Sequence, residues 1–242
     1  LVHLGILSKN GTSHTSPVML ITRKLTNDKR PIVDFRLLNS RIRRRNTATP
    51  LLSDIFNILG ASNCELLSCV DLKDAYHSIP LTSKSKEFCG ILPYFGSAHY
   101  RYEVLPMGLS ISPAKWMEYV EVILEHIQER NQYIAIMDDM LIHSLMSKHI
   151  DRIENLFKTL IKHGLRLSPK KCQFARKNLV YIGNNWTIEG SNMTITPLKC
   201  RTEAIQKIPP PTSVTKAKSF CGMVNYLSLF CPKLQEMLKP IY

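Results

Sequence analysis

The chain has 242 residues, of which 44% are hydrophobic and 21% charged, a balance that suits a folded protein and argues against disorder. No apolar run reaches the ~18 residues of a membrane span. A formal net charge of +13 points to a polyanionic partner, most simply nucleic acid, with a basic soluble protein lacking such a partner as the plainer alternative.

The chain opens mid-pattern at Leu1-Val2-His3-Leu4, with no signal peptide, and reads as a piece of a longer protein. Val18-Met19-Leu20-Ile21 and Pro31-Ile32-Val33 read as strands joined by a turn at Thr26-Asn27-Asp28. Arg41, Arg43, Arg44 and Arg45 form a dense basic stretch, either a solvated loop or a contact to phosphates. Leu66 to Asp71 reads as a buried strand ending at the acid, with a tight turn or short helix after it. Ser112-Pro113 predicts a helix start, with Ser as N-cap and Pro at the first helical position. Trp116, Val120, Leu124 and Ile127 then fall on one apolar face, with Glu118, Glu121 and Glu125 mostly away from it.

Tyr133 to Ile142 is an apolar run interrupted by Asp138-Asp139, which reads as two strands with the acid pair as the turn. A second amphipathic helix places Ile150, Ile153, Leu156, Phe157, Leu160 and Ile161 on one side and stops at Gly164. Pro209-Pro210-Pro211 separates two helical stretches, Leu198 to Ile208 and Ser213 to Phe230, so a helical module is expected from about residue 195. Seven cysteines without Cys-x-x-Cys spacing argue against a zinc ribbon or disulfide framework and suit a reducing compartment.

The acid pair carries the chemistry. Adjacent carboxylates repel and are costly to desolvate, so a pair at a buried hairpin tip needs a compensating charge. A hard divalent cation held through oxygen ligands is the simplest one. Asp71 at a strand end supplies a third acid, as two-metal phosphoryl transfer requires.

Ordered blocks extend this reading. They are Ser16-Pro17-Val18; Val33-Asp34-Phe35-Arg36 with Asn39; Val70-Asp71-Leu72-Lys73-Asp74-Ala75-Tyr76-His77; Leu105-Pro106-Met107-Gly108-Leu109 with Ser112-Pro113-Ala114; Met137-Asp138-Asp139-Met140; Gly164-Leu165 leading to Lys170-Lys171-Cys172-Gln173-Phe174; and Tyr181-Ile182-Gly183. Together with the tail Ser219 to Tyr226, they make the chain resemble, almost end to end, the reverse transcriptases of gypsy-type LTR retrotransposons and their retroviral relatives.

The resemblance implies an α+β right-hand polymerase. Fingers would cover 1–48 and 79–111, and palm 49–78 and 112–194, its antiparallel sheet carrying the acids. A partial helical thumb would cover 195–242. Implied partners are an RNA or DNA template with its primer, a dNTP, and a downstream connection and ribonuclease H region in the parent pol polyprotein. The implied location is cytoplasm or nucleus, in a retroelement particle, with neither secretion nor a membrane.

In that frame Asp71, Asp138 and Asp139 match the catalytic acids. Asp71 and Asp138, with the main-chain carbonyl of Leu72, would hold two Mg²⁺ ions, for which Mn²⁺ can substitute, and Asp139 would be more peripheral. Tyr76 matches the steric gate against ribonucleotides, Asp74 and Ala75 would offer amides to the triphosphate, and Arg23 and Arg30 match the cations that grip it. Met107 falls beside the incoming nucleotide where relatives carry Gln or Phe. Ile136 replaces the usual Tyr or Phe beside Met137 at the primer end. Tyr181-Ile182-Gly183 matches the primer-grip turn. Lys218, Gly222 and Tyr226 share a helix face that either meets the duplex minor groove or packs as an ordinary helix does. A catalytically silent nucleic-acid-binding or structural subunit is the alternative. A metal-dependent nuclease using the same acids would leave Tyr76 and the thumb helix unexplained.

Overall fold

The computed structural model describes residues 1–22, 29–43, 52–94, 98–190 and 192–241, with backbone alone at Arg30. Arg23, Arg44, Arg45 and the expected turn at Thr26-Asn27-Asp28 lie outside the described residues. In chain order the elements are β1 (Leu7–Ser8), β2 (Thr15–Thr22), β3 (Lys29–Val33), α1 (Arg36–Arg41), α2 (Leu52–Gly60), β4 (Leu66–Lys73), α3 (Ser83–Lys86), β5 (Gly90–Leu92), β6 (Tyr100–Tyr102) and α4 (Ser112–Glu125). They continue with β7 (Tyr133–Ile136), β8 (Asp139–Ser144), α5 (Met146–Lys162), β9 (Arg166–Leu167), β10 (Gln173–Arg176), β11 (Asn178–Tyr181), β12 (Asn184–Glu189), β13 (Asn192–Pro197), α6 (Lys199–Gln206), α7 (Val214–Asn225) and α8 (Leu234–Leu238).

Three sheets result. The first runs β1-β6-β5-β2-β3, the second β10-β4-β8-β7 with β9 also paired to β4, and the third β11-β12-β13. Strand alternation splits the second sheet's side chains between two cores. Val70, Leu72, Met140 and Ile142 pack on α4 and α5 through Trp116, Val120, Ile123 and Leu156. Leu67, Cys69, Ile134 and Leu141 pack on the other side, against Ile55 and Leu59 of α2 and Leu179, Tyr181 and Trp186 of the third sheet. Each fully buried Leu or Ile contributes about 1.5–3 kcal/mol of transfer free energy, so burial on both faces holds this sheet in place. A smaller cluster of Cys221, Val224, Leu234 and Leu238 holds the C-terminal helices together.

Helix α1, which follows strand β3 of the first sheet, is tied to the loop before α4 by Asn39. Its amide donates to the Gly108 carbonyl at 2.9 Å, and its side-chain oxygen accepts from the Ser110 N–H at 2.8 Å. Gly108 takes φ +97°, a region open to glycine, so this short loop can turn back onto Phe35.

Several local expectations change. Strand β4 runs two residues past Asp71 because β9 pairs with Leu72 and Lys73. The hairpin turn is Met137-Asp138, one residue earlier than expected, since Asp139 already pairs with Ile136 and Asp71. Ser112 does not cap its helix by its side chain; it is the first residue of α4, buried, and its hydroxyl donates to the Pro106 carbonyl at 2.7 Å. The helix expected from Ser213 to Phe230 ends at Asn225, although Ser213 does cap it by accepting from the Lys216 N–H.

The stripe of α5 is rotated. Ile150 and Ile161 are 77% and 75% exposed, and the buried positions are His149, Arg152, Leu156 and Leu160. The polar pair can take core positions because both have partners. His149 bridges the Ser68 and Ser144 hydroxyls at 2.7 Å each, and Arg152 forms an ion pair with Glu129. All seven cysteines are free thiols. Among the described residues no helix is long and apolar enough to cross a membrane.

Candidate active site

Pairing in the central sheet brings the three acids together. Asp71 of β4 lies opposite Asp139 of β8, and Asp138 precedes Asp139 in the turn. The register puts Asp71 and Asp139 on the sheet face shared with Cys69 and Leu141, the face toward Tyr181. The Leu72 N–H donates to the Asp138 carbonyl at 2.9 Å, tying turn to strand. Met137 takes φ +53°, which a long side chain adopts only when its surroundings hold it there. Three groups do so. The Trp116 indole N–H donates to the Met137 carbonyl at 2.6 Å, the Met117 sulfur accepts from the Met137 N–H at 3.3 Å, and the Tyr76 hydroxyl reaches the Met137 sulfur at 3.9 Å.

Burial first, and the charge of Asp71 second, push the carboxyls of Asp138 and Asp139 above the ordinary aspartate range. Asp138 Oδ1 is buried with no hydrogen-bond partner among the described residues. Lys171 offsets part of the repulsion, its ammonium contacting both Asp71 oxygens at 3.1 and 2.9 Å. Among the described residues, no three His, Cys, Asp or Glu side chains close around a point that could hold a metal by themselves.

Tyr76 stands beside the acids. It sits in a short 3-10 turn (Ala75–Ser78), with its ring 6.2 Å from that of Trp116. Burial and the nearby Asp138 charge push its hydroxyl up. Asp74 opens that turn at φ +53° and pairs with Arg166 at 3.7 Å, while Ala75 is buried. Ile136 is the cross-strand partner of Asp139, and Met107 is 38% exposed beside Gly108. Arg30 lies opposite Ile21 in the β2–β3 pair. Arg23 lies outside the described residues.

A second turn, at Ile182-Gly183, links β11 to β12. Ile182 takes φ +48°, an outlier for a β-branched residue, and Gly183 takes φ +69°. Tyr181 is buried, and its carbonyl accepts the Trp186 indole N–H at 2.9 Å. The Ile182 carbonyl accepts from the Tyr226 hydroxyl at 2.8 Å. The Arg201 guanidinium covers the Tyr226 ring at 4.2 Å and packs where a side chain on Gly183 would project. The expected face Lys218-Gly222-Tyr226 is thus divided: Lys218 and Gly222 are exposed on α7, and Tyr226 is bonded to the Ile182-Gly183 turn.

Three contributors escaped the sequence reading. Trp116 appeared only as part of an apolar stripe; a buried indole N–H must find an acceptor, and that was the available signal. Lys171 stood inside a matched block with no role attached. Arg201 had no signal, because its contacts come from two other elements.

Comparison with known proteins bears on the whole site. The family described as reverse transcriptase (RNA-dependent DNA polymerase) matches residues 16–186. The Pol polyprotein of transposon 297 from Drosophila melanogaster is 24% identical over 245 residues, covering 100% of this chain and 22% of that protein. The transposon Tf2-7 polyprotein of Schizosaccharomyces pombe is 26% identical over 238 residues, covering 98% of this chain and 17% of that one. The chain thus spans about a fifth of the length of these relatives. Among solved structures, the foamy viral protease-reverse transcriptase in complex with double-stranded DNA superposes with a TM-score of 0.82 at 23% identity, covering 100% of this chain and 48% of that one. The same viral protein in complex with an RNA/DNA hybrid gives 0.74 at 20% identity, covering 99% and 32%. The fold is that of the polymerase palm and fingers.

Proposed function

The chain belongs to the reverse transcriptase family, and from that premise we propose that it is the polymerase part of a retroelement Pol polyprotein, synthesising DNA on an RNA or DNA template. One observation carries the reading: Asp71 and Asp139 face each other across paired strands, with the buried, unpartnered Oδ1 of Asp138 in the adjoining turn. Residues 1–48 and 79–111 would form fingers, 49–78 and 112–194 palm, and 195–242 part of a thumb. The relatives, several times longer than this chain, support further regions in a parent protein, and we expect a ribonuclease H among them.

The acids suit a divalent cation. Three carboxylates share one sheet end, two are strained by burial and mutual charge, and one oxygen lacks a partner. Asp71, Asp138, Asp139 and the Leu72 carbonyl would hold two magnesium ions, or manganese in their place, with waters and substrate phosphates completing the shells. When bound, the ions supply positive charge at the primer 3′-oxygen and the triphosphate.

In the reaction, the primer 3′-oxygen attacks the α-phosphorus of a dNTP and pyrophosphate leaves. The protein's part is placement. Trp116 and Leu72 hold the Met137-Asp138 turn, so the carboxylates are positioned before substrate arrives. The Tyr76 ring, beside Asp138, would rest under the incoming sugar and exclude a 2′-hydroxyl. The amides of Asp74 and Ala75, with Arg23, Arg30 and Met107, would receive the triphosphate and base. Ile136, Met137 and the turn Tyr181-Ile182-Gly183 would carry the primer end, and Lys218 and Gly222 the duplex. An excess of 13 positive charges supports binding that is dominated by phosphate contacts and weakens steeply with salt.

The test is extension of a DNA primer on an RNA template with Mg²⁺ or Mn²⁺. Asp138→Asn is expected to reduce extension by about a thousandfold or more while leaving hybrid binding in place. Tight hybrid binding with no extension by the unaltered chain would favour the silent-subunit alternative. Tyr76→Ala should admit ribonucleotides, and unchanged sugar selection would remove the gate assignment.

A further inference from the structure

We propose that Lys171 is a tethered counter-ion of the acid cluster: its ammonium holds the place of a divalent cation beside Asp71 and yields it when the ion arrives. The inference rests on the reading that Asp71, Asp138 and Asp139 form a divalent-cation site.

The contact is specific. The Lys171 ammonium reaches both oxygens of the Asp71 carboxylate, at 3.1 and 2.9 Å. Its charge also acts on Asp138 and Asp139, so it serves the whole cluster. The nearby cation Arg166 is directed to Asp74 instead.

The backbone below Lys171 is stitched to the same acid. The Ser168 N–H donates to the Asp71 carbonyl at 2.8 Å, and the Lys171 N–H donates to the Ser168 carbonyl at 2.9 Å. The Cys172 thiol donates to that Ser168 carbonyl as well. The base of the side chain is therefore fixed next to Asp71. The side chain itself is 69% exposed, against 16% for Asp71. Its head can swing into solvent with no backbone movement, while the carboxylate stays in place.

Residue chemistry agrees. Lysine presents a compact point charge on a flexible stem, whereas arginine's planar fork would lock both carboxylate oxygens. A sheet end with three acids needs a cation in the metal-free state to limit repulsion. A cation that leaves easily meets that need without closing the site. Metal and ammonium then compete for Asp71, and each weakens the other's hold by the same factor.

The experiment is Mn²⁺ binding to the whole chain without nucleotide or nucleic acid, followed by calorimetry and by paramagnetic resonance of the free ion. Lys171→Met and Lys171→Gln should each bind Mn²⁺ about fivefold more tightly than the unaltered chain, the size of an exposed ion pair given up on binding. Lys171→Arg should bind no more tightly than the unaltered chain. In chelator, Lys171→Met should melt lower than the unaltered chain, and Mn²⁺ should raise its melting temperature by more. Equal or weaker Mn²⁺ binding by both neutral variants overturns the proposal and leaves the metal site standing, provided Asp71→Asn reduces binding. Absence of Mn²⁺ binding in every protein overturns the proposal together with the metal reading on which it rests.

Discussion

Two turns in this chain solve the same problem with different supports. Met137-Asp138 and Ile182-Gly183 each force a bulky residue to positive φ, +53° and +48°. Each is held by a hydrogen bond from a distant aromatic side chain to that residue's carbonyl: Trp116 to Met137 and Tyr226 to Ile182. Trp116 of α4 belongs to the main core and is fully buried, so the turn bearing Asp138 is fixed by a helix packed directly on its own sheet. Tyr226 follows α7, whose own cluster is small, and Arg201 covers it from an exposed helix. The first turn is therefore set by the central sheet and α4, while the second depends on where the C-terminal helices sit. A site that places carboxylates benefits from the first kind of support.

The largest effect should come from removing the first support. Trp116→Ala is expected to cost about 4 kcal/mol, since it empties a fully buried site, and Trp116→Phe about 1–2 kcal/mol, chiefly by leaving the Met137 carbonyl unpaired. Denaturant unfolding reads both. If Trp116→Phe proved neutral in stability and in primer extension, the indole bond would not be what holds the turn.

Acid should weaken the same layer. His143, on β8 beyond the acids, is buried and held neutral, its pKa pushed down from 6.5 to about 4. Its contribution is complete above the unfolded value and is lost as pH falls from about 6.5 toward 4, because the unfolded chain then binds the proton more readily. The loss is on the order of 3 kcal/mol at most. Melting temperature followed from pH 7 to pH 4.5 should fall less steeply in His143→Gln; an identical slope would assign the acid sensitivity elsewhere.

The second turn should respond more weakly. Tyr226→Phe is expected to cost about 1 kcal/mol, the net worth of one hydrogen bond. Gly183→Ala should cost about 1 kcal/mol from backbone strain, with Arg201 displaced in addition. A double-mutant cycle of Gly183→Ala with Arg201→Ala should show a coupling of about 0.5 kcal/mol or more. Strict additivity would mean that Arg201 does not support this turn.

Much of the candidate site was legible in order along the chain. The apolar runs around Asp71 and Asp138-Asp139 identified strands, because alternation and turn residues are local properties. The blocks around Tyr76, Asn39 and Tyr181 named the family that the comparisons then bore out. The misreadings share one cause. Ser112 looked like a cap, but its hydroxyl is taken by Pro106, six residues back. Ile150 and Ile161 looked buried, but His149 and Arg152 hold those core positions through partners in other elements. Periodicity counts apolar residues and does not see a polar one that is satisfied at a distance.

By itself, then, the sequence determined the strands around Asp71 and Asp138-Asp139 and the family, and it raised the expectation of a compensating charge beside the acids. Only the tertiary structure decided which distant residues support the acids and the two turns. Lys171 lies 100 residues from Asp71 along the chain, Trp116 21 from Met137, and Tyr226 44 from Ile182. Hairpin geometry is written into neighbouring residues, whereas the partner of a buried carbonyl or carboxylate is chosen by how whole layers pack, and packing joins residues that no local pattern relates.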